Sequence, residues 1–267
     1  MKKKEVNDSY YKYFDGRPNI FILFIIKSLS LLNENGILSF VLPKNFLNSL
    51  YYNKTRKYII ENFSILDILE CKEKYIETQQ DTIILIIQNK KSQGNDNNYN
   101  IISGFTIFGL NLAKLKSLRK DSKTLSSLGF SANIGTVVWN QCKEQLTDDD
   151  QKTRLIYSSD IEDNKLSMKE YSNKDKKNFI DKEGSSEPVL VVNRGYGVGT
   201  YHFNYCVIDM ETDFLIENHL ICIKYNEQIS RDKLIDKYNH IVKSFEDERT
   251  MQFIELYFGN NAINSTE

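Results

Sequence analysis

Only 3 prolines, Pro18, Pro43 and Pro188, occur in the 267 residues, and no two are adjacent. Any function built on a Pro-Pro pair therefore has no place in this sequence. The 4 cysteines, Cys71, Cys142, Cys206 and Cys222, are widely spaced. That spacing excludes a small disulfide framework and a metal-binding pair, and implies reduced, structural thiols. Histidine is equally scarce: His202, His219 and His240 share no metal-ligand spacing with Asp or Glu, so each reads as a solvated or core residue. Asp148-Asp149-Asp150 lacks the Gly turn and closing Glu of a calcium loop and reads as solvated. No apolar run reaches the roughly 18 residues of a membrane span. A basic start, Met1 to Glu5, is not followed directly by a signal-peptide core, so a cytoplasmic setting is expected. A basic excess is missing as well. The net charge is −1 and the sequence pI about 6.4, so bulk charge gives no support to DNA binding, although basic loops can sit on a neutral chain.

What is present is enough to bury a core: 40% of residues are hydrophobic and 27% charged. Asp15 to Lys90 has a regular order of helix, turn, strand, helix, strand, loop and strand. Asn19 is placed to cap a helix over Ile20 to Leu32, which is apolar almost all round and should be buried against a sheet. Asn33-Glu34-Asn35-Gly36 ends it, with Gly36 as the left-handed residue. Ile37 to Leu42 fits a central parallel strand, stopped by Pro43. Asn45 to Asn62 reads as one amphipathic helix with Leu47, Leu50, Tyr51, Tyr58 and Ile59 inward. Ser64 to Glu70 and Asp81 to Gln88 are strands. The polar loop between them, Cys71 to Gln80, makes that pair antiparallel. The composition changes at Lys90 to Asn100, which marks a domain boundary.

From Ser126 onward the apolar runs are short and separated by turn residues, the pattern of a β-rich domain. They are Ile134 to Trp139, Arg154 to Tyr157, Val189 to Asn193, Tyr201 to Ile208 and His219 to Ile223. Lys165 to Glu187 is a polar insertion expected on the surface. Ser230 to Phe258 returns to helical spacing. Trp139 reads as a core anchor rather than a base-stacking residue. The Gly-rich stretch Asn193 to Gly199 is a weak phosphate loop, because no Lys-Ser/Thr pair or helix pattern follows it.

Several of these features together resemble the gamma-type N6-adenine DNA methyltransferases. They are Asn19-Ile20-Phe21 with Phe24, the buried helix, Gly36, Leu42-Pro43 and Asn45-Phe46-Leu47. The run Leu66 to Ile87, with an aromatic seven residues before Thr82, carries the resemblance on to Lys90. A looser similarity continues through Ile134-Gly135-Thr136, Val189 to Tyr196, Glu217-Asn218-His219-Leu220 and Tyr257 to Asn261. It implies an α/β fold: the C-terminal half of a Rossmann-like methyltransferase sheet, with parallel strands ending in an antiparallel pair, followed by a β-rich target recognition domain with C-terminal helices. The implied domains are 1–90, a linker at 91–125, and 126–267. The resemblance also implies S-adenosylmethionine as cofactor, with Asn19, Ile20 and Phe24 closing its adenine pocket. Pro43 and Tyr75 are the implied contacts to a flipped-out adenine, Tyr75 by stacking. Arg194 is the implied contact to a phosphate or a guanine edge. The plainer alternatives stay open: helix cap and core for Asn19 and Ile20, an edge-packing loop residue for Tyr75, and an exposed hairpin arginine for Arg194.

Such enzymes also need a Gly-rich turn after the first strand of the methyltransferase sheet, an acidic residue at that sheet for the ribose and an Asn/Asp-Pro-Pro-Tyr/Phe tetrapeptide. None of these is in the sequence, and no catalytic residue is assigned to it. The expected partners are double-stranded DNA, an N-terminal methyltransferase half or subunit, and a cognate restriction endonuclease, with no membrane. Two other readings follow from the same departure: a non-catalytic specificity subunit of a restriction–modification system, or an inactive fragment.

Overall fold

The computed structural model describes residues 5–14, 16, 18–71, 81–91, 98–102, 104–109, 111–194, 202–258 and 263. The chain is a mixed α/β protein with several sheets and few helices, and it divides into two compact units. The first is Met1–Leu118 with Leu256–Asn260, and the second is Arg119–Glu255 with Asn261–Glu267.

In the first unit, Asn19 is extended and its side-chain oxygen accepts the Phe21 N–H, which starts helix α1, Ile20–Ser30. The helix is one-sided rather than apolar-buried all round. Ile22, Ile25, Ile26 and Leu29 are buried, whereas Ile20 and Phe24 are exposed. The left-handed residue after it is Asn35 (φ 60°), not Gly36. Asparagine tolerates that conformation through its short polar side chain. Gly36 is needed for a different reason, since a Cβ there would lie 2.9 Å from the Asn33 carbonyl oxygen.

Strand β1 is Ile37–Pro43. The next stretch is not a single helix. It runs through 3-10 turns at Lys44–Leu47 and Leu50–Tyr52 before α2, Asn53–Asn62. The inward residues of this stretch are Phe46, Leu47, Tyr52, Thr55, Arg56 and Ile59, while Leu50, Tyr51 and Tyr58 are only half-buried. Arg56 explains the break. Its guanidinium is fully buried and donates to the carbonyls of Phe46 (2.8 Å), Ser49 (2.8 Å), Asn48 (3.2 Å) and Thr106 (2.6 Å). Three of these carbonyls belong to the turn segment, so their oxygens face the cation instead of continuing a helical ladder.

Strands β2, Ser64–Glu70, and β3, Thr82–Gln88, complete a sheet of order β1-β3-β2. The β2–β3 pair is antiparallel, as its polar connection implied. Among the described residues β1 lies at the edge of this sheet. Its described partner is β3, which is antiparallel to it in register Ile37↔Gln88 to Pro43↔Thr82. β1 and β2 thus run parallel with the antiparallel β3 between them. β3 takes the middle because it carries the strongest apolar run: Ile83, Leu85 and Ile87 are fully buried on one face. On the other face Val41 and Leu69 flank Ile84, and Ile37, Val41, Leu66 and Leu69 are exposed. β4, Tyr99–Ile102, and β5, Phe105–Phe108, make a separate hairpin, and α3 covers Leu112–Arg119.

The second unit is built on two four-stranded sheets. One has the order β13-β12-β15-β6, with β6 Phe130–Ile134, β12 Val189–Asn193, β13 Tyr205–Ile208 and β15 Leu220–Tyr225. The other has the order β14-β8-β11-β7, with β7 Leu146–Thr147, β8 Thr153–Ile156, β11 Phe179–Ile180 and β14 Phe214–Ile216. β9, Ile161–Glu162, and β10, Lys165–Leu166, form a short hairpin. The polar insertion is therefore not simply surface: it supplies β11, inside a sheet, where Ile180 is fully buried. Trp139 is half-buried against the cluster of Val137, Leu155, Tyr157 and Ile180, in its expected anchoring role. Helices α4, Arg231–Phe245, and α5, Glu248–Phe258, follow.

The four cysteines are free thiols. Cys206 and Cys222 are buried, and burial pushes the Cys222 thiol up to about 11. A thiol-reagent titration of the folded chain should modify Cys71 and Cys142 quickly, and Cys206 and Cys222 only after denaturant is added. Arg56→Ala should lower the unfolding free energy by about 3–5 kcal/mol in a urea titration, because it strands carbonyls that the cation solvates.

Candidate functional site

In the first unit, the residues singled out in the sequence lie at the start of α1 and at the C-terminal end of β1. Asn19 uses its carboxamide oxygen as the helix cap, 3.2 Å from the Phe21 nitrogen. Ile20 and Phe24, 60% and 62% exposed, stand four residues apart and so share one face of α1. An exposed apolar pair of this kind fits the face of a purine ring, as the adenine end of S-adenosylmethionine would require. For the methionine and ribose ends, no Gly-rich turn precedes this part of the sequence.

Pro43 closes β1 opposite Thr82, and the Lys44 nitrogen donates to the Asp81 carbonyl at 2.8 Å. The Lys44 ammonium also sits 2.7 Å from the Glu70 carboxylate. At this strand end the Asn45 side-chain oxygen and the Thr82 hydroxyl are buried with no hydrogen-bond partner among the described residues. Buried polar atoms without partners are uncommon in folded chains and mark places where a ligand can supply the bond. Arg56 fixes the segment that follows, through Phe46, Asn48 and Ser49. Tyr75 lies outside the described residues.

In the second unit, three segments far apart in sequence converge. Gly135 donates its N–H to the Leu220 carbonyl at 2.9 Å, and Val137 donates to the Ile216 carbonyl at 3.2 Å. Asn218 donates to the Val137 carbonyl at 2.9 Å. The Arg194 backbone N–H donates to the His219 carbonyl at 3.1 Å, and its guanidinium donates to the Asn218 carbonyl at 3.0 Å. Gly135 is obligatory at this junction, because a Cβ there would lie 2.1 Å from the Glu217 carbonyl oxygen. Arg194 is thus drawn into bracing the Glu217–Leu220 turn rather than standing alone on a hairpin.

Glu217 is buried, and one carboxylate oxygen accepts the Ser158 N–H at 3.1 Å. The other lies 2.8 Å from His219 Nδ1. The His219 side chain remains 36% exposed, against 3% for Glu217. Beside them Asp160, fully buried, accepts from the Tyr157 N–H (2.9 Å), the Lys169 N–H (3.2 Å) and the Tyr171 hydroxyl (2.6 Å). The Lys176 ammonium lies 4.0 Å and 3.7 Å from the ring centres of Tyr157 and Tyr171. Burial pushes the Lys176 ammonium below its ordinary range, opposed by the charges of Glu217 and Asp160. Burial raises both tyrosines, with the Asp160 carboxylate adding to the rise.

Reading the sequence missed this cluster. Among the described residues no group of three or more His, Cys, Asp or Glu side chains could hold a metal ion. Glu217 and His219, two apart in an extended segment, were the available signal, since such residues can lie on the same side of the chain. Arg56 gave no signal, because a charged residue on an amphipathic helix ordinarily faces water.

Comparison with known proteins adds the following. The family model for the Eco57I restriction-modification methylase matches residues 1–76. The type II methyltransferase M.CvrRI of Paramecium bursaria Chlorella virus XZ-6E is 27% identical over 265 residues, covering 92% of this chain and 62% of that protein. The modification methylase CviBIII of Paramecium bursaria Chlorella virus NC1A is 33% identical over 84 residues, covering 30% of this chain and 21% of that protein. The chain thus spans less than two thirds of the length of the methyltransferases it matches. The solved type IIG restriction endonuclease BpuSI covers 82% of this chain and 38% of its own at 10% identity, with a TM-score of 0.31 that carries no argument about the fold. The chain is thus similar over most of its length to one type II methyltransferase, and its residues 1–76 match the family model of the Eco57I restriction-modification methylase.

Proposed function

We propose that this chain is the C-terminal portion of a gamma-type DNA methyltransferase that moves a methyl group from S-adenosylmethionine to adenine N6. In this reading residues 1–90 are the C-terminal half of a Rossmann-like methyltransferase domain, 91–125 a linker, and 126–267 the target recognition domain. The observation that carries it is the methylase match to residues 1–76, the stretch holding α1, β1 with its Leu42-Pro43 end, and α2. The β1-β3-β2 sheet supports it, as do the exposed apolar side chains on its second face, which suit a larger sheet covered on both sides.

The roles then divide as follows. Ile20 and Phe24 hold the adenine of the cofactor, and Asn19 fixes the helix start they stand on. When bound, S-adenosylmethionine supplies the methyl group. Pro43 and Tyr75 receive the flipped adenine, whose lost stacking an aromatic ring partly restores. Arg194 contacts a phosphate or a guanine edge of the DNA. The Gly-rich turn and the Asn-Pro-Pro-Tyr tetrapeptide come from an N-terminal methyltransferase half or subunit, and no catalytic residue is assigned to these residues. Its partners are that half, double-stranded DNA and a cognate restriction endonuclease, in the cytoplasm. Among the described residues no helix is long and apolar enough to cross a membrane. The missing tetrapeptide also favours a second reading, a specificity subunit that binds DNA and never joins in methyl transfer.

The test is transfer of labelled methyl from S-adenosylmethionine into mixed-sequence duplex DNA. The chain alone should give none, and adding the methyltransferase half of a gamma-type enzyme should restore it. Incorporation by the chain alone would overturn the division of labour. Specific DNA binding with no restoration would favour the specificity subunit. In the restored enzyme, Tyr75→Ala should lower the rate by about 5- to 150-fold, the range of one lost base–aromatic stack, and Tyr75→Phe by no more than about threefold. Equal rates for Tyr75→Ala and wild type would remove the stacking role.

A further inference from the structure

Between Asp96 and Glu144 the sequence holds six basic residues and one acidic residue, Asp121, in a chain whose net charge is −1. Five of the six fall within Lys114–Lys123: Lys114, Lys116, Arg119, Lys120 and Lys123. Helix α3 carries the first three. The left-handed Asp121 (φ 61°) turns the chain just after it, where the Ser122 N–H donates to the Arg119 carbonyl at 3.0 Å. The chain passes from the first unit to the second within this segment, between Leu118 and Arg119.

Lys114, Lys116, Lys120 and Lys123 are all exposed, and among the described residues none of them is ion-paired. Other lysines of the chain do meet acids: Lys57 pairs with Glu61, Lys143 with Asp175, Lys152 with Asp181, Lys169 with Glu162 and Lys177 with Asp148. The charge on α3 works against the helix itself. Lys114 stands in the first turn, at the positive end of the helix dipole, and no acidic residue shares that turn. Lys116 and Arg119, three apart, repel one another. A helix face that only meets water ordinarily mixes the two signs, and this one carries a single sign. With about 3.6 residues per turn, the buried Leu115 faces inward, and Lys114 and Lys116 flank an outer arc formed by Ala113 and Ser117. Both of those side chains are exposed and small, so a polyanion can lie along the arc and be met by an ammonium from either side.

We propose that Lys114, Lys116, Lys120 and Lys123 neutralise backbone phosphates of duplex DNA, on the segment that joins the two units. This rests on the reading of the chain as part of a DNA methyltransferase. In that reading the first unit holds the flipped adenine and the second reads the sequence, so the segment tethered to both stays within reach of the same duplex. Each phosphate contact releases its own counterion, so the four lysines need no fixed spacing. They hold the duplex without reading its bases. A chain of nearly neutral bulk charge can bind DNA in this way, because its unpaired cations are gathered in one place.

The test measures binding of the full chain to mixed-sequence duplex at several salt concentrations. Thermal unfolding confirms that each variant keeps the fold. One phosphate contact contributes about 0.9 to the slope of log affinity against log salt. Lys114→Gln with Lys116→Gln should therefore lower the slope by about 1.8, and glutamine at all four positions by about 3.6. If the fourfold variant unfolds, the Lys114/Lys116 and Lys120/Lys123 pairs are read separately. Arginine at the same four positions should keep the wild-type slope. Lys27→Gln with Lys57→Gln removes two charges from exposed positions elsewhere in the first unit and should leave the slope unchanged. A wild-type slope in the folded glutamine variants would overturn the proposal and leave DNA binding standing. An equal fall in the Lys27/Lys57 variant would overturn it too, by tracing the effect to net charge. A wild-type chain that binds no duplex would remove the DNA-acting reading, and this inference with it.

Discussion

Charge taken out of water has to be solvated by the protein, and that constraint organises each unit of this chain. In the first, the Arg56 guanidinium has no exposed surface and is surrounded by carbonyls from Phe46, Asn48, Ser49 and Thr106. Carbonyl oxygens solvate a cation only if the chain turns them inward, so the segment after β1 becomes a pair of 3-10 turns. In the second, the carboxylates of Glu217 and Asp160 are enclosed and take backbone N–H groups from Ser158, Tyr157 and Lys169. Removing any one of these charges leaves buried polar groups with no partner, which costs more than a lost surface contact.

Both constraints fall beside residues given functional roles. Arg56 holds the stretch that leaves Pro43, where Asn45 and Thr82 have buried oxygens without hydrogen-bond partners among the described residues. Glu217 holds His219, and Arg194 closes the same turn. A rigid support next to an exposed polar or apolar side chain is what a binding surface needs, since a ligand then loses less on ordering it.

Much of the first unit was legible in the sequence. The Asn19 cap, the apolar helix α1, the start of β1 at Ile37 and the strands Ser64–Glu70 and Asp81 to Gln88, the last beginning one residue later at Thr82, follow from capping and from short apolar runs between turn residues, which are local signals. What was not legible depended on distant partners. The order β1-β3-β2 is set by which strand carries the most apolar surface, and the break in the helix by a cation whose partners reach Thr106. In the second unit the two-residue strands Leu146–Thr147 and Phe179–Ile180 are too short for any period to reveal them. Of the candidate site, the segments Ile134 to Thr136, Val189 to Tyr196 and Glu217 to Leu220 were singled out by resemblance. That described parts of them meet at one turn could be learned only from the fold.

The measurement closest to the central claim is hydrogen–deuterium exchange of the full chain with and without mixed-sequence duplex DNA. The account predicts added protection over residues 193–194 and 217–220, where the Arg194, Asn218 and Leu220 amides already carry hydrogen bonds. Binding that leaves those amides unchanged while protecting other parts of the second unit would contradict it.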